Sequence, residues 1–332
     1  MSEVSALIGQ HYAFAAGRTG VLRQLLISQP DVDRMLGSHG IQELNRVLTE
    51  MKFTNIIPQG LASTEGMLPA LEQWVKNEVA AMVPESKRHI FTILWTDGDA
   101  PTLAWMLKKK YELTLLDSTE PTTGLHAFSV NELHDLVKTG TPHSLPYEIV
   151  AGVEKVKAMN PKKAKMIDTV VDQAIAAYKT RIAKESGSRL ILDFVQNTID
   201  TTNIRTIVRS LPALHTSALL PGGTMNLQKV KTMEELRSQI VQSGIFGFSV
   251  DLSILLRDSI AFERAVADLI AKDIAEMWSM PMTVEPVFAF AAIALSHIAL
   301  VRAVSIGKRA GLSPQEIKQV LPPFIPASSF RS

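Results

Sequence analysis

Apolar residues recur along this chain at the spacing of an α-helix, and no run alternates apolar with polar residues over the length of a strand. Between Lys162 and Glu185 the residues Ile167, Val171, Ala174, Ile175, Tyr178 and Ile182 fall on one face, with Lys163, Lys165, Asp172, Lys179 and Lys184 largely off it. Phe262, Val266, Leu269, Ile270, Ile274, Met277 and Trp278 form a second such stripe. Start signals agree with the stripes: Ser129 with Glu132, Thr232 with Glu235, and Ser313 with Pro314 and Glu316 read as capped helix N-termini. The pattern predicts an all-α fold with few or no strands. With 46% hydrophobic and only 6% aromatic residues, the helices should pack through aliphatic side chains. The 332 residues are enough for a sizeable core.

Loops are expected at Pro58–Gly60, Glu120–Gly124, Gly140–Pro146, Gly187, Pro212 and Pro221–Gly223, and the tail after Pro322 should fray. The run Val287 to Val304 is apolar enough to raise the question of a membrane span. It carries Ser296, His297 and Arg302 inside it and is short for a crossing, so it is read as a core helix buried on all sides. Met1 to Gln10 lacks a basic segment followed by an apolar stretch, so no secretory leader is expected. Lys and Arg number 34 against 33 Asp and Glu, which gives no general attraction for nucleic acid. The absence of cysteine removes disulfides, thiolate metal sites and cysteine nucleophiles together.

Internal similarity constrains the organisation further. Residues 89–109, 190–210 and 287–309 each read as an apolar helical stretch, a polar break and a second helical stretch. The second stretch begins at Leu103 or Ile204 in the first two copies, and Val301 and Arg302 match Ile204 and Arg205 in the third. The copies are offset by 101 and then 97 residues. A period near this length predicts three related helical units, 1–120, 121–212 and 213–332, around a pseudo-threefold axis.

Searches for chemistry return little. Phosphate-loop, dinucleotide, zinc-protease and nucleophile-elbow motifs are all missing, so the chain should not itself hydrolyse ATP. Pro221, Gly222, Gly223 and Thr224 could ring an anion with N–H groups, but the pair of glycines after a proline reads first as a turn. Asp97 and Asp99 could offer oxygens to a cation, or form the polar break before a helix with Asp99 as its cap. His126, His134, Asp135 and His143 are too scattered for a metal set, and Lys108, Lys109 and Lys110 suit the negative end of a helix dipole. Met277, Met280 and Met282 around Trp278 read as adaptable packing. No catalytic residue, metal or cofactor is expected.

The C-terminal third resembles the C/d family of central-stalk proteins from V-type ATPases. Pro286, Val287, Phe288, Ala289, Arg302, Gly307, Lys308, Gly311, Leu312, Ser313, Pro314 and Ile317 match its closing pattern. Asp200, Asn203, Ile204 and Arg205 resemble the family's Asp-x-x-Asn-Leu-Arg step, and Leu220 to Gly223 its Pro-Gly-Gly loop. Ala16 to Arg18 and Leu48 to Phe53 are fainter echoes. The sequence departs from the pattern at Thr102 and Leu300, where Asn is expected, and at Ala104, where Arg is expected. The resemblance implies a funnel that receives the end of the central shaft at its mouth and sits on the cytoplasmic face of the proteolipid ring. It also implies a peripheral, non-spanning protein without an active site. On this reading Asp97, Asp99, Asn203, Arg205, His297 and Arg302 are candidate partner contacts, although both arginines could equally serve bonds within the chain. A helical-repeat adaptor that binds proteins in a groove, unrelated to rotary ATPases, is the alternative.

Overall fold

The computed structural model describes residues 3–57, 63–114, 119–210, 218–247, 250–322 and 324–326, with the side chains of 3–11 left aside. Among the described residues there are α-helices, short 3-10 turns and no strand. In chain order the helices are α1 (Glu3–Leu22), α2 (Gln29–Gly37), α3 (Gly40–Glu50), α4 (Thr64–Met82), α5 (Glu85–Arg88), α6 (Thr92–Lys110), α7 (Val130–Lys138) and α8 (Tyr147–Met159). They continue with α9 (Ala164–Glu185), α10 (Arg189–Ser210), α11 (Met233–Ser243), α12 (Leu252–Leu255), α13 (Ser259–Trp278), α14 (Glu285–Arg309) and α15 (Pro314–Val320). The loops expected at Pro58–Gly60 and Pro212, and most of the tail after Pro322, lie outside the described residues.

The chain forms two compact units, Met1–His89 with Asp258–Ser332, and Ile90–Arg257. The first is built on α14, which packs against α1, α3, α4, α13 and α15. Its apolar run is long and hydrophobic enough to cross a membrane, yet 72% of it is buried inside the unit. Phe288, Phe290, Ile293, Leu300 and Val301 are wholly enclosed. Trp74 on α4 stands edge-on to Phe290 at 6.0 Å and to Phe53 at 6.2 Å, filling the space between α4 and α14.

The second unit is built on α9, which packs against α6, α8 and α10. Ile167, Val171, Ala174, Ile175, Tyr178 and Ile182 are all buried, as the periodicity predicts. In the first unit, the α13 stripe has Phe262, Val266, Ile274 and Met277 buried while Leu269, Ile270 and Trp278 are half-exposed. Gly152 of α8 faces Ala174 of α9 so closely that a Cβ there would stand 2.7 Å from the alanine methyl, which lets the two backbones approach. Capping boxes are present at Thr232 with Glu235 and at Ser313 with Glu316. At Ser129 the helix begins as expected but the serine side chain makes no cap, and Glu132 instead accepts a bond from the Ser144 hydroxyl at 2.9 Å.

Candidate functional site

The stretches read from sequence as polar breaks are interior to helices. Asp97–Asp99 lies within α6, Asn197–Asn203 within α10, and Ser296–His297 within α14. Asp99 is therefore not an N-cap. Helix α6 continues even through Pro101, because Ile93, Leu94 and Trp95 on one side and Leu103, Met106 and Leu107 on the other are all buried. Burial on both sides outweighs the hydrogen bond that the proline forgoes.

At the offsets of 101 and 97 residues, Asp99, Asp200 and His297 occupy matching places in the three long helices. All three have no exposure to solvent. Each bonds backbone that returns across its helix further along the chain, and His297 also bonds backbone far earlier in it. The Asp99 carboxylate accepts the Ala127 N–H at 2.8 Å and faces His126 Nδ1 at 3.0 Å. Burial pushes its pKa up, against the pull of those two partners. The Asp200 carboxylate accepts the Thr224 N–H at 2.8 Å, the Thr224 hydroxyl at 2.6 Å and the Met225 N–H at 3.3 Å. His297 Nδ1 accepts the Ile27 N–H at 3.2 Å, which makes Nε2 the protonated nitrogen, donating to the Ile325 carbonyl at 3.0 Å. Burial lowers the His297 pKa to about 4, so the ring is neutral. These tethers reach 28, 24 and 28 residues down the chain.

Glycines admit the returning backbone. A Cβ at Gly98 would run into the Leu125 carbonyl oxygen. In the second copy the small residues sit in the loop: side chains at Gly222 and Gly223 would strike Thr180 and Asp200, and Gly222 has φ +101. The Pro221–Thr224 turn thus serves Asp200 with the N–H and hydroxyl of Thr224. Asn203 adds a second hold in this copy only. Its amide donates to the Leu220 carbonyl at 2.9 Å and its oxygen accepts the Leu220 N–H at 2.7 Å. Thr102, in the matching place, turns its hydroxyl back to the Gly98 carbonyl at 3.0 Å, and Leu300 is simply buried.

Of the six candidate contact residues, Asp99, Asn203 and His297 are thus buried and committed to bonds inside their own unit. Asp97 is exposed and forms an ion pair with Lys179. Arg302 donates to the buried Glu72 at 2.6 Å while its own side chain is 40% exposed. Arg205 is half-buried on α10. Helix α6 brings Asp97 and Asp99 into one turn, and α10 does the same for Asn203 and Arg205. His126 joins Asp99, whereas His143 pairs with Asp135 at 3.1 Å. Among the described residues no three His, Asp or Glu side chains converge as a metal set.

Two residues that define this arrangement were matched to the family pattern in the sequence but were given no role there. Asp200 is one, although the offset between copies places it in register with Asp99. Lys308 is another: its buried ammonium donates to the carbonyls of Leu36 at 2.7 Å and Ser38 at 2.6 Å, closing the C-terminal end of α2. The neighbouring Gly307 leaves room for Ile317, whose side chain would stand 2.6 Å from an added Cβ. Gly311, at φ +72, then turns the chain toward the capped start of α15. The closing sequence motif is therefore a set of backbone and packing requirements.

A family model described as the ATP synthase (C/AC39) subunit matches residues 15–320. No curated protein matches the chain.

Proposed function

This chain belongs to the ATP synthase (C/AC39) subunit family and is a subunit of a V-type rotary ATPase, and from that premise we propose that it is the central-stalk subunit that couples the rotor shaft to the membrane proteolipid ring for ion transport. In this reading the units 1–120, 121–212 and 213–332 stand around a pseudo-threefold axis as a funnel. Its mouth takes the end of the shaft, and its body rests on the cytoplasmic side of the ring without entering the membrane. The protein has no active site of its own and works mechanically.

The observation that supports this reading best is the threefold recurrence of one device: a buried polar residue in the middle of a long helix, tethering backbone 24 to 28 residues downstream. Such tethers stiffen each helix against its own loop, which a torque-bearing part requires. In this reading Asp97, Arg205 and Arg302 meet a partner directly, while Asp99, Asn203 and His297 contribute by holding loops inside their units.

Co-purification with the central-shaft subunits and the detergent-solubilised ring tests the role. Stoichiometric capture of both is expected. A folded helical chain that captures neither would favour a protein-binding adaptor. Replacing Arg205 and Arg302 by glutamine should loosen the coupling of ATP hydrolysis to ion transport, and normal coupling in that variant would remove the arginines from the interface.

A further inference from the structure

Residues 154–166, where α8 turns into α9, hold five lysines against the single carboxylate of Glu154, in a chain whose net charge is +1. The corner is tight and well anchored. Asn160 ends α8 in the left-handed conformation at φ 42, Pro161 is buried, and Val156 and Ile167 fix the two helices beneath it. Lys155 bonds the Gln173 side chain at 3.1 Å and Lys157 the Leu136 carbonyl at 3.3 Å. Lys162, Lys163 and Lys165 are exposed, and no hydrogen bond or ion pair engages their ammonium groups among the described residues. Met159 and Met166, each 37% exposed, flank the three lysines. The first turn of α9 carries no acidic residue to offset this charge.

We propose that this corner docks on an anionic phospholipid surface, with Lys162, Lys163 and Lys165 at headgroup level and Met159 and Met166 against the acyl boundary. The composition favours lipid over an acidic protein groove. Protein interfaces enrich arginine and deplete lysine, because the planar guanidinium pairs carboxylates bidentately, and the corner contains no arginine. A strongly hydrated ammonium suits diffuse attraction to lipid headgroups, where its water need not be removed. Flexible, polarisable methionines on both flanks give the contact an apolar component that fits an irregular headgroup boundary. The inference stands on the chemistry of the corner and not on the proposed position of the chain in a rotor.

Sedimentation of the full chain with vesicles tests it. Phosphatidylcholine vesicles with phosphatidylserine at about a two-to-one ratio should bind the chain, pure phosphatidylcholine should not, and added salt should release it. Lys162→Glu, Lys163→Glu and Lys165→Glu together should lower partitioning roughly a hundredfold or more, at about fivefold per lysine. The milder Lys→Gln triple keeps the test open should charge reversal disturb folding. Met159→Ser with Met166→Ser should reduce binding several-fold and leave its salt dependence intact. Indifference of the wild-type chain to phosphatidylserine would overturn the proposal, as would unchanged binding by a folded lysine variant. If the lysine variants instead lost a soluble component of the ATPase during co-purification while vesicles never bound, the corner would be a protein contact and the lipid assignment would fall. Capture of shaft and ring by a chain that ignores vesicles would leave the rotor role standing.

Discussion

Acid should loosen the first unit through His297. Folding buries this imidazole completely, with Nδ1 held by the Ile27 N–H and Nε2–H by the Ile325 carbonyl. Phe53 stands edge-on at 6.3 Å and Phe324 lies 5.1 Å from the ring, so no water is at hand to solvate a charge. Protonating Nδ1 would also set a donor against the Ile27 N–H donor. The unfolded chain takes up this proton near the ordinary value of 6.5, whereas the folded chain resists until about 4. Between those values the unfolded state binds more protons, so stability must fall as pH falls and level off below the window. The full loss is about 3 kcal/mol, most of it gone by about pH 4.5. Urea unfolding of the wild type and of His297→Gln at about pH 7 and about pH 4.5 isolates the effect. Glutamine does not titrate, while the other seven histidines and the carboxylates are common to both proteins. The wild type should lose about 2 kcal/mol more than the variant between the two pH values. Equal losses, or a His297 midpoint near 6.5 in an NMR titration, would refute the reasoning.

Gly98→Ala should destabilise the second unit by about 2 kcal/mol, although alanine normally gains about 1 kcal/mol over glycine in a helix, because the new methyl meets the Leu125 carbonyl. A higher denaturation midpoint for this variant would contradict the close approach. Asp200→Ala removes three hydrogen bonds and orphans two N–H groups, for a loss of about 3 kcal/mol and faster amide exchange at Thr224 and Met225. Lys308→Met should release the Leu36 and Ser38 carbonyls, cost about 2 kcal/mol and raise exchange at the end of α2. Unchanged exchange there would show that the ammonium does not close the helix.

Much of this was legible in the sequence. The helical stripes located α9 and α13 because their apolar faces repeat at 3.6 residues, the α9 face being wholly buried and the α13 face in part. The three long helices emerged from self-comparison. Their continuity did not. Asp97, Gly98 and Asp99 together read as a break, since each is a poor helix former and two are charged. What overrides those propensities is tertiary: a loop about 28 residues away supplies partners for Asp99 and fills the gap over Gly98. A still longer separation hid the role of Lys308, whose carbonyl partners lie some 270 residues earlier. Local signals were sound at Thr232 and Ser313, where cap and partner are three residues apart, and failed at Ser129, where Glu132 had a better use.

The three tethers differ in chemistry while serving one end. A carboxylate can only accept, so Asp99 and Asp200 hold N–H groups, and the loops they hold present Ala127, Thr224 and Met225 by their nitrogens. A neutral imidazole accepts on one nitrogen and donates on the other, so His297 can join two backbone segments, at Ile27 and Ile325, at the expense of stability in acid. What recurs is the bond between helix middle and returning backbone, not the side chain that makes it. This separates stability from mechanics in a testable way. If the tethers only stabilise their units, Asp200→Asn should lower the denaturation midpoint and leave an assembled ATPase fully coupled. If they transmit load, as the proposed rotor role requires, the same variant should assemble normally, hydrolyse ATP and move fewer ions per ATP. Asparagine keeps the size and one acceptor oxygen but gives up the charge that strengthens the bonds to Thr224 and Met225. Full coupling in that complex, with amide exchange at Thr224 raised as expected, would leave the tethers a purely structural role.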